Sequence, residues 1–448
     1  MMIVGFGSLF MWGLNSSCYR LYFKYKDDPE ALKDMLSTNL ITIIISILIY
    51  GVILAMIYPL LNSFFFHGKL DAIWVVLAFA QYLFMNLNTI NQQILQAGHQ
   101  GKKWAINESA AFTLQIILQL TLIVTRIFTF QAIIIAALAA ELIKFVLIYK
   151  GIGRQGYRIA FNVNKLKESL KYSWPTIPTT IIVYGYSYLD RVLVSRLYGL
   201  FQVGYLEMST KISLIMKMAM DGIDGVLSPI NLGLIGEGTD ASLEKMAKLN
   251  LKAMYVLLFI AGLIIMSIKE LVIILTTKQY YSVMYIAPLY VYYHAFGILG
   301  MPSYWLIYHR TDKMFIKIIM NILFLGCSIV LNVMLIPKYG IYGAALAIFS
   351  SSAITQFIQF IVGLKITPIP LDKTKILVLF LSLFLQTAIV YTLYYIEMPL
   401  FGDILIKVIL AGLFIWLGRA LRIFTWQEAG SLLDDIRGRI SNKLLRNS

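Results

Sequence analysis

The chain has 448 residues, of which 59% are hydrophobic and only 14% charged, and its formal net charge at pH 7 is +15. A soluble domain carries roughly 25% charged residues to cover its surface, so with a mean hydropathy of +0.76 a water-soluble enzyme is excluded. Two cysteines, Cys18 and Cys327, both inside apolar runs, and four scattered histidines give no disulfide framework and no metal site.

Thirteen apolar spans follow one another along the chain, most near the ~20 residues that cross a bilayer. They are 2–19, 39–61, 72–95, 105–125, 131–149, 174–198, 203–228, 253–275, 283–308, 315–336, 342–364, 376–396 and 403–418. The first residues have no basic stretch ahead of the apolar one and do not read as a signal peptide. If the loop after the first span is cytoplasmic, only Lys69, Arg126, Lys278 and Lys338 lie in loops on the opposite side. Basic loops stay in the cytoplasm, so the excess charge reads as a topology signal rather than as a nucleic-acid footprint. It places the C-terminus in the cytoplasm.

An internal repeat divides the spans. EALKDMLSTNL at 30–40 resembles ASLEKMAKLNL at 241–251, with Leu32, Met35, Asn39 and Leu40 matched at an offset of 211. His99 and Lys103 fall on His309 and Lys313 at 210, and AALA at 136–139 recurs at 344–347. Both copies keep their orientation, which predicts a parallel repeat about an axis along the membrane normal. The fold class expected is an all-α polytopic membrane protein with two pseudo-symmetric lobes of five and six spans. The partner of the 174–198 helix would precede residue 1, so a first helix is expected to be missing. The expected organisation is an N-terminal lobe over 1–150, a basic cytoplasmic linker over 151–171 and a C-terminal lobe over 172–364. Two added spans occupy 365–423, and an amphipathic tail over 424–448 carries Leu432, Leu433, Ile436 and Ile440 on one face, suited to a membrane surface.

Ionised groups facing lipid cost at least about 2.5–3.5 kcal/mol, yet the sixth and seventh spans concentrate them. Asp190 and Arg191 are neighbours and point about 100° apart on a helix, so they are not expected to neutralise each other. Glu207–Lys211 and Lys217–Asp221 stand at i,i+4, which allows ion pairs and leaves Asp224 and Glu207 without evident partners of their own. The structural reading is paired charges fixing helix register. The functional reading is a hydrated lumen between the lobes, with Arg191, Lys211, Arg196 and Lys217 meeting an anionic headgroup. In that reading Asp190, Glu207 and Asp224 are candidate proton or cation sites. Tyr184, Tyr188 and Tyr205 offer faces for sugar rings, although Tyr and Trp, Trp174 above all, also collect at membrane interfaces. Helix breakers punctuate the lobe: Pro175 and Pro178 open its first span, and Gly222, Gly225 and Pro229 close its second. Pro288, Gly297, Gly300 and Pro302 interrupt the 283–308 span. The first lobe adds Glu108, Glu141 and Lys144, and the added pair adds Lys407. No Gly-rich phosphate loop is present, no external loop exceeds about ten residues, and neither cofactor nor catalyst is expected.

YSWPTIPTTIIVYGYSYLDRVLVSRLYGLFQVGYLEMSTKISLIM resembles the start of the second lobe in Wzx-type polysaccharide flippases of the multidrug/oligosaccharidyl-lipid/polysaccharide exporter superfamily. Pro175, Asp190, Arg191, Gly204 and Tyr205 carry the pattern. LNVMLIPKYGIYGAALAIFSS at 331–351 and GLNSSCYRLYFKYKDDPEALKDMLST are similar to two further stretches of that family. The resemblance implies two six-helix lobes, often with two added C-terminal helices, in a bacterial cytoplasmic membrane. It implies transfer of an undecaprenyl-pyrophosphate-linked oligosaccharide to the outer leaflet for O-antigen, capsule or lipopolysaccharide assembly. A coupling cation (H+ or Na+) and a polysaccharide polymerase complex are the partners expected beside the bilayer. A drug or small-cation exporter of the same superfamily and a membrane glycan polymerase are the alternatives, with a peptidoglycan-precursor flippase as a nearer variant.

Overall fold

The computed structural model describes residues 7–25, 27–66, 68, 70–97, 101–125, 131–152, 160–173, 176–309, 315–366, 368–396 and 398–424. The expectations for His99, Trp174, Pro175 and the amphipathic tail beyond residue 424 lie outside the described residues. Among those described, helix is the sole regular secondary structure. The chain divides into two compact units, Met1–Tyr184 and Gly185–Ser448.

The first unit begins with a 3-10 turn, Ser8–Met11, then α1 (Leu14–Tyr25), α2 (Pro29–Phe66), α3 (Ala72–Ala97), α4 (Gly101–Val124), α5 (Gln131–Ile152) and α6 (Val163–Ser173). An unbroken span over 2–19 was expected from apolarity, but Trp12 and Gly13 adopt positive φ and separate the turn from α1. The Trp12 indole donates to Ser46 Oγ at 3.0 Å, which anchors the break to α2. The basic linker contains α6, which packs against α1 and α2. Lys24 and Tyr25 of α1 both hydrogen-bond the Glu168 carboxylate, and the Asn162 amide donates to Thr38 Oγ1 at 3.0 Å.

α7 (Thr176–Tyr198) crosses the division of the two units. The second unit continues with α8 (Leu200–Glu237), α9 (Asp240–Leu275), α10 (Val283–His309), α11 (Phe315–Ile366), α12 (Lys373–Tyr395) and α13 (Leu400–Ala420). Helix limits repeat with the sequence. α2 and α9 begin at Pro29 and Asp240, and α3 and α10 at Ala72 and Val283, in both cases 211 residues apart. The matched residues occupy matched environments: Met35 and Met246 are fully enclosed, and Asn39 and Asn250 are both buried in their units.

Nine described helices are long and apolar enough to cross a membrane. They account for ten of the thirteen spans, because 315–336 and 342–364 are joined in α11. The junction is a kink at Gly340 (φ 58°, ψ −130°), a conformation that essentially only glycine adopts. Tyr198 caps it, its hydroxyl lying 3.0 and 3.1 Å from the carbonyl oxygens of Ile336 and Pro337. α7 and α8 are helical as expected, though neither is among the apolar nine. Two expected interruptions do not occur. α8 runs through Gly222, Gly225 and Pro229 to a left-handed cap at Gly238, and α10 continues through Pro288 and Pro302. Neighbouring helices supply the missing backbone partners that let membrane helices carry proline.

The outward faces are apolar. Ile45, Leu48, Ile49, Val52, Met56 and Leu60 form one exposed face along α2, and α4, α11 and α13 have comparable faces. Unbroken hydrocarbon on this scale is incompatible with water. The molecule is an all-helical, multi-pass membrane protein.

Candidate functional site

Three charged residues of α7 and α8, Asp190, Arg191 and Glu207, form a compact network in the second unit. Asp190 is 2% exposed. Arg191 curls back along its own helix: its Nη1 donates to Ser187 O at 2.8 Å and to Asp190 Oδ1 at 3.1 Å. Its Nε donates to Glu207 Oε1 at 2.5 Å and its Nη2 to Thr210 Oγ1 at 3.1 Å, so the guanidinium fork is almost fully committed. Tyr290 of α10 donates to the other Asp190 oxygen at 3.1 Å.

This arrangement corrects two expectations. Asp190 and Arg191 do neutralise each other, because the long Arg side chain folds over one helical turn and the 100° separation of Cβ directions ceases to matter. Glu207 takes Arg191 as its partner rather than Lys211. Asp224 is likewise engaged with a partner. One guanidinium between two carboxylates leaves the cluster formally at −1. A buried guanidinium bound in this way costs several kcal/mol of desolvation, which only good geometry on every donor offsets.

The remaining cations differ in setting. Lys211 is exposed on α8 and forms no ion pair among the described residues. Lys217 pairs with Asp221 at i,i+4 as expected, with both side chains about half exposed. Arg196 is exposed near the end of α7 and has a partner of its own. Of the aromatic residues, Tyr188 is half-buried, and the side chain of Tyr184 lies outside the described set. Tyr205 was expected to face a sugar, but it is buried. Its hydroxyl donates to Gln279 O at 2.8 Å, and its ring packs on Phe201 and Tyr280. That leaves its ring no open face.

Two further polar clusters lie within the helices. In the first unit Lys144 of α5 sits 3.3 Å from Glu108 of α4 and 3.1 Å from Glu141. Asn88 of α3 donates to Glu141 Oε2 at 2.6 Å, and Gln92 hydrogen-bonds Glu108. In the second unit Lys407 of α13 bridges Asp403 at 2.9 Å and Glu270 of α9 at 2.6 Å. Lys269 stands 3.9 Å from Asp403, and Tyr394 presents its ring to both lysines. These groups clamp α12 and α13 to α9. Among the described residues, no group of three or more His, Cys, Asp or Glu is placed to hold a metal.

Sequence reasoning missed Tyr290 and Thr210. Tyr290 lies 100 residues from Asp190, and Tyr and Thr are too common in apolar helices to stand out. The nearest signal is periodic: Thr210 falls almost one turn after Glu207, on the same face.

Polar clusters within lipid-facing helices define the class as a polytopic membrane protein, and the fold places it further. The chain is similar to the inward-facing form of a multidrug resistance MATE family transporter of the MOP superfamily, at 14% identity, covering 82% of this chain and 88% of that one with a TM-score of 0.65. It is similar to the lipid II flippase MurJ in an inward closed conformation, at 16% identity, 93% and 90% coverage and a TM-score of 0.61. A MOP superfamily transporter from Pyrococcus furiosus matches at 14% identity, 83% and 86% coverage and a TM-score of 0.57. Likeness at such low identity establishes the shared fold. No match was found among curated proteins. The family model described as polysaccharide biosynthesis protein matches residues 1–285, and the chain belongs to that family.

Proposed function

We propose that the protein is a flippase carrying an undecaprenyl-pyrophosphate-linked oligosaccharide from the cytoplasmic to the outer leaflet of a bacterial cytoplasmic membrane, for assembly of a surface polysaccharide. The observation that carries this reading is membership of a polysaccharide biosynthesis family by a chain with a transporter fold. Lys211 and Lys217 on the exposed side of α8 are the residues proposed to meet the pyrophosphate, since an ammonium suits phosphate oxygens as a point charge. Arg196 extends that cationic surface. Arg191 is proposed to act through Glu207 and Asp190, holding both carboxylates in a cluster of net negative charge that suits a coupling H+ or Na+. Asp224 completes the candidate coupling set, and Tyr188 the sugar-facing aromatic set. The basic loops and the C-terminus are placed in the cytoplasm, and a polysaccharide polymerase is the proposed recipient of the product.

Reconstitution of the full chain in vesicles with a labelled lipid-linked oligosaccharide tests this. Transfer between leaflets is expected, and Lys211→Ala is expected to slow it tenfold or more at unchanged abundance. A chain that leaves the labelled lipid in its original leaflet while extruding cationic drugs from a sensitised strain would be an exporter instead.

A further inference from the structure

A second polar feature of the C-terminal unit lies one helical turn from the charged network. Residues of α7, α8, α10 and α11 line an open cavity of about 180 Å³. Drug-sized ligands occupy pockets of roughly 300–1,000 Å³, so this one is too small for them. It has room for several waters, since about 10–15 Å³ of such volume holds one.

The lining is neutral and amide-rich. Asn321, Thr355, Gln356 and Gln359 present it with amides and a hydroxyl, and Tyr186 and Tyr293 with phenols and ring faces. Among the described residues, no carboxylate, lysine or arginine lines it. Several of these groups are held in place. Gln359 Nε2 donates to Gly300 O at 3.2 Å, and Tyr186 packs on Phe324 with ring centroids 4.3 Å apart. The Gln356 amide packs against Gly300, where a Cβ would displace it.

Other groups are left over. Thr355 is 3% exposed, yet its Oγ1 has no hydrogen-bond partner among the described residues. A helical threonine normally returns its hydroxyl to the carbonyl four residues back, and a buried orphan hydroxyl is rare. Gln356, on the same wall, makes no hydrogen bond among the described residues. Unpartnered hydroxyl and amide groups beside aromatic faces match one ligand chemistry: a ring bearing several neutral hydroxyls above an apolar C–H face. Amides donate and accept in pairs, and aromatic faces cover apolar ring faces. Met220 on the wall stands almost one turn after Lys217 on α8, which sets the cavity near the proposed phosphate contact.

We propose that this cavity is a monosaccharide subsite, filled by one neutral sugar residue of the transported oligosaccharide through Thr355, Gln356 and the Tyr186–Tyr293 wall. The proposal rests on the flippase reading and names the part of the substrate that the C-terminal unit reads.

The test uses the full chain in lipid nanodiscs with methyl glycosides of neutral hexoses and N-acetylhexosamines, followed by saturation-transfer NMR. At least one glycoside is expected to receive saturation from the protein. Gln356→Leu and Thr355→Val, which nearly keep volume and remove hydrogen bonding, are expected to weaken that binding at least tenfold with unchanged Tm. Charged methyl phosphate serves as the control and is expected to bind these variants as it binds the wild type. Two results overturn the subsite: no glycoside binding to a wild type that still flips the labelled lipid, or variants that bind glycosides normally. If a variant fails to fold, the companion variant decides. A wild type that binds glycosides but moves no lipid-linked oligosaccharide keeps the cavity assignment and overturns the flippase reading instead.

Discussion

Arg191 shows how a membrane-buried cation can be read wrongly from its neighbours in sequence. Its four hydrogen-bond partners come from its own helix and from α8, and they consume the donors that a substrate phosphate would need. Arg191→Ala therefore leaves Asp190 and Glu207 as uncompensated carboxylates. Removing one partner of a buried pair costs about 3–5 kcal/mol, so a large loss of folded protein is expected, measured as Tm and as membrane abundance. Lys211→Ala, at an exposed position with no ion pair among the described residues, is expected to leave stability within about 0.5 kcal/mol of wild type. If Arg191→Ala retains normal abundance and Tm, the network does not have the structural role given to it here. The presence of unusual charges was legible in the sequence at Asp190, Arg191 and Glu207. Their pairing was not, because it depends on rotamers and on Tyr290, which is brought in from a helix 100 residues away.

At the scale of elements, α6 is joined to α1 by charge. The Glu168 hydrogen bond raises Lys24 above its ordinary value. For Glu168, burial opposes ionisation, but hydrogen bonds from Lys24 and Tyr25 outweigh it and hold the carboxyl below its usual range. A depressed carboxyl stabilises above its unfolded value and loses that contribution as pH falls through the folded one. A raised ammonium stabilises below its unfolded value and loses that as pH rises through the folded one. The α1–α6 latch is thus fully formed between about pH 4.3 and pH 10.4, the unperturbed values of the two groups, and weakens outside that window. Hydrogen-exchange protection of the α6 amides is expected to fall several-fold on acidification in the wild type and to be low and nearly pH-independent in Glu168→Gln. Protection in Glu168→Gln equal to wild type at pH 7 would remove the latch. The kink in α11 permits a second test. Gly340→Ala forces a side chain into a glycine-only conformation at about 1–3 kcal/mol, and a lower Tm is expected, whereas substitution at the open Gly326 is expected to be tolerated. Sequence patterning located this kink as the short gap between two apolar runs, PKYG. It placed the end of α8 wrongly, since the helix runs on through Gly222, Gly225 and Pro229 to its left-handed cap at Gly238.

At the scale of the molecule, orientation follows from basic loops that carry little other information. A cysteine introduced at Lys278 is expected to react with a membrane-impermeant maleimide added outside intact cells, and one at Lys252 to react only after permeabilisation, in a Cys18→Ala, Cys327→Ala background. The reverse pattern would invert the topology and, with it, the proposed direction of transport. The length of the apolar runs by itself determined the all-helical membrane class and nearly every helix, because in lipid the backbone must satisfy its own hydrogen bonds and an uninterrupted apolar run has few other solutions; matched residues gave the repeat at an offset of 211. Tertiary structure alone decided which charges are spent and which stay available: Arg191 locked between Asp190 and Glu207, Tyr205 turned inward, and Thr355 and Gln356 left facing a neutral cavity. Those outcomes depend on side chains from helices far apart in sequence competing for the same few partners, and the order of residues along one helix carries no record of that competition.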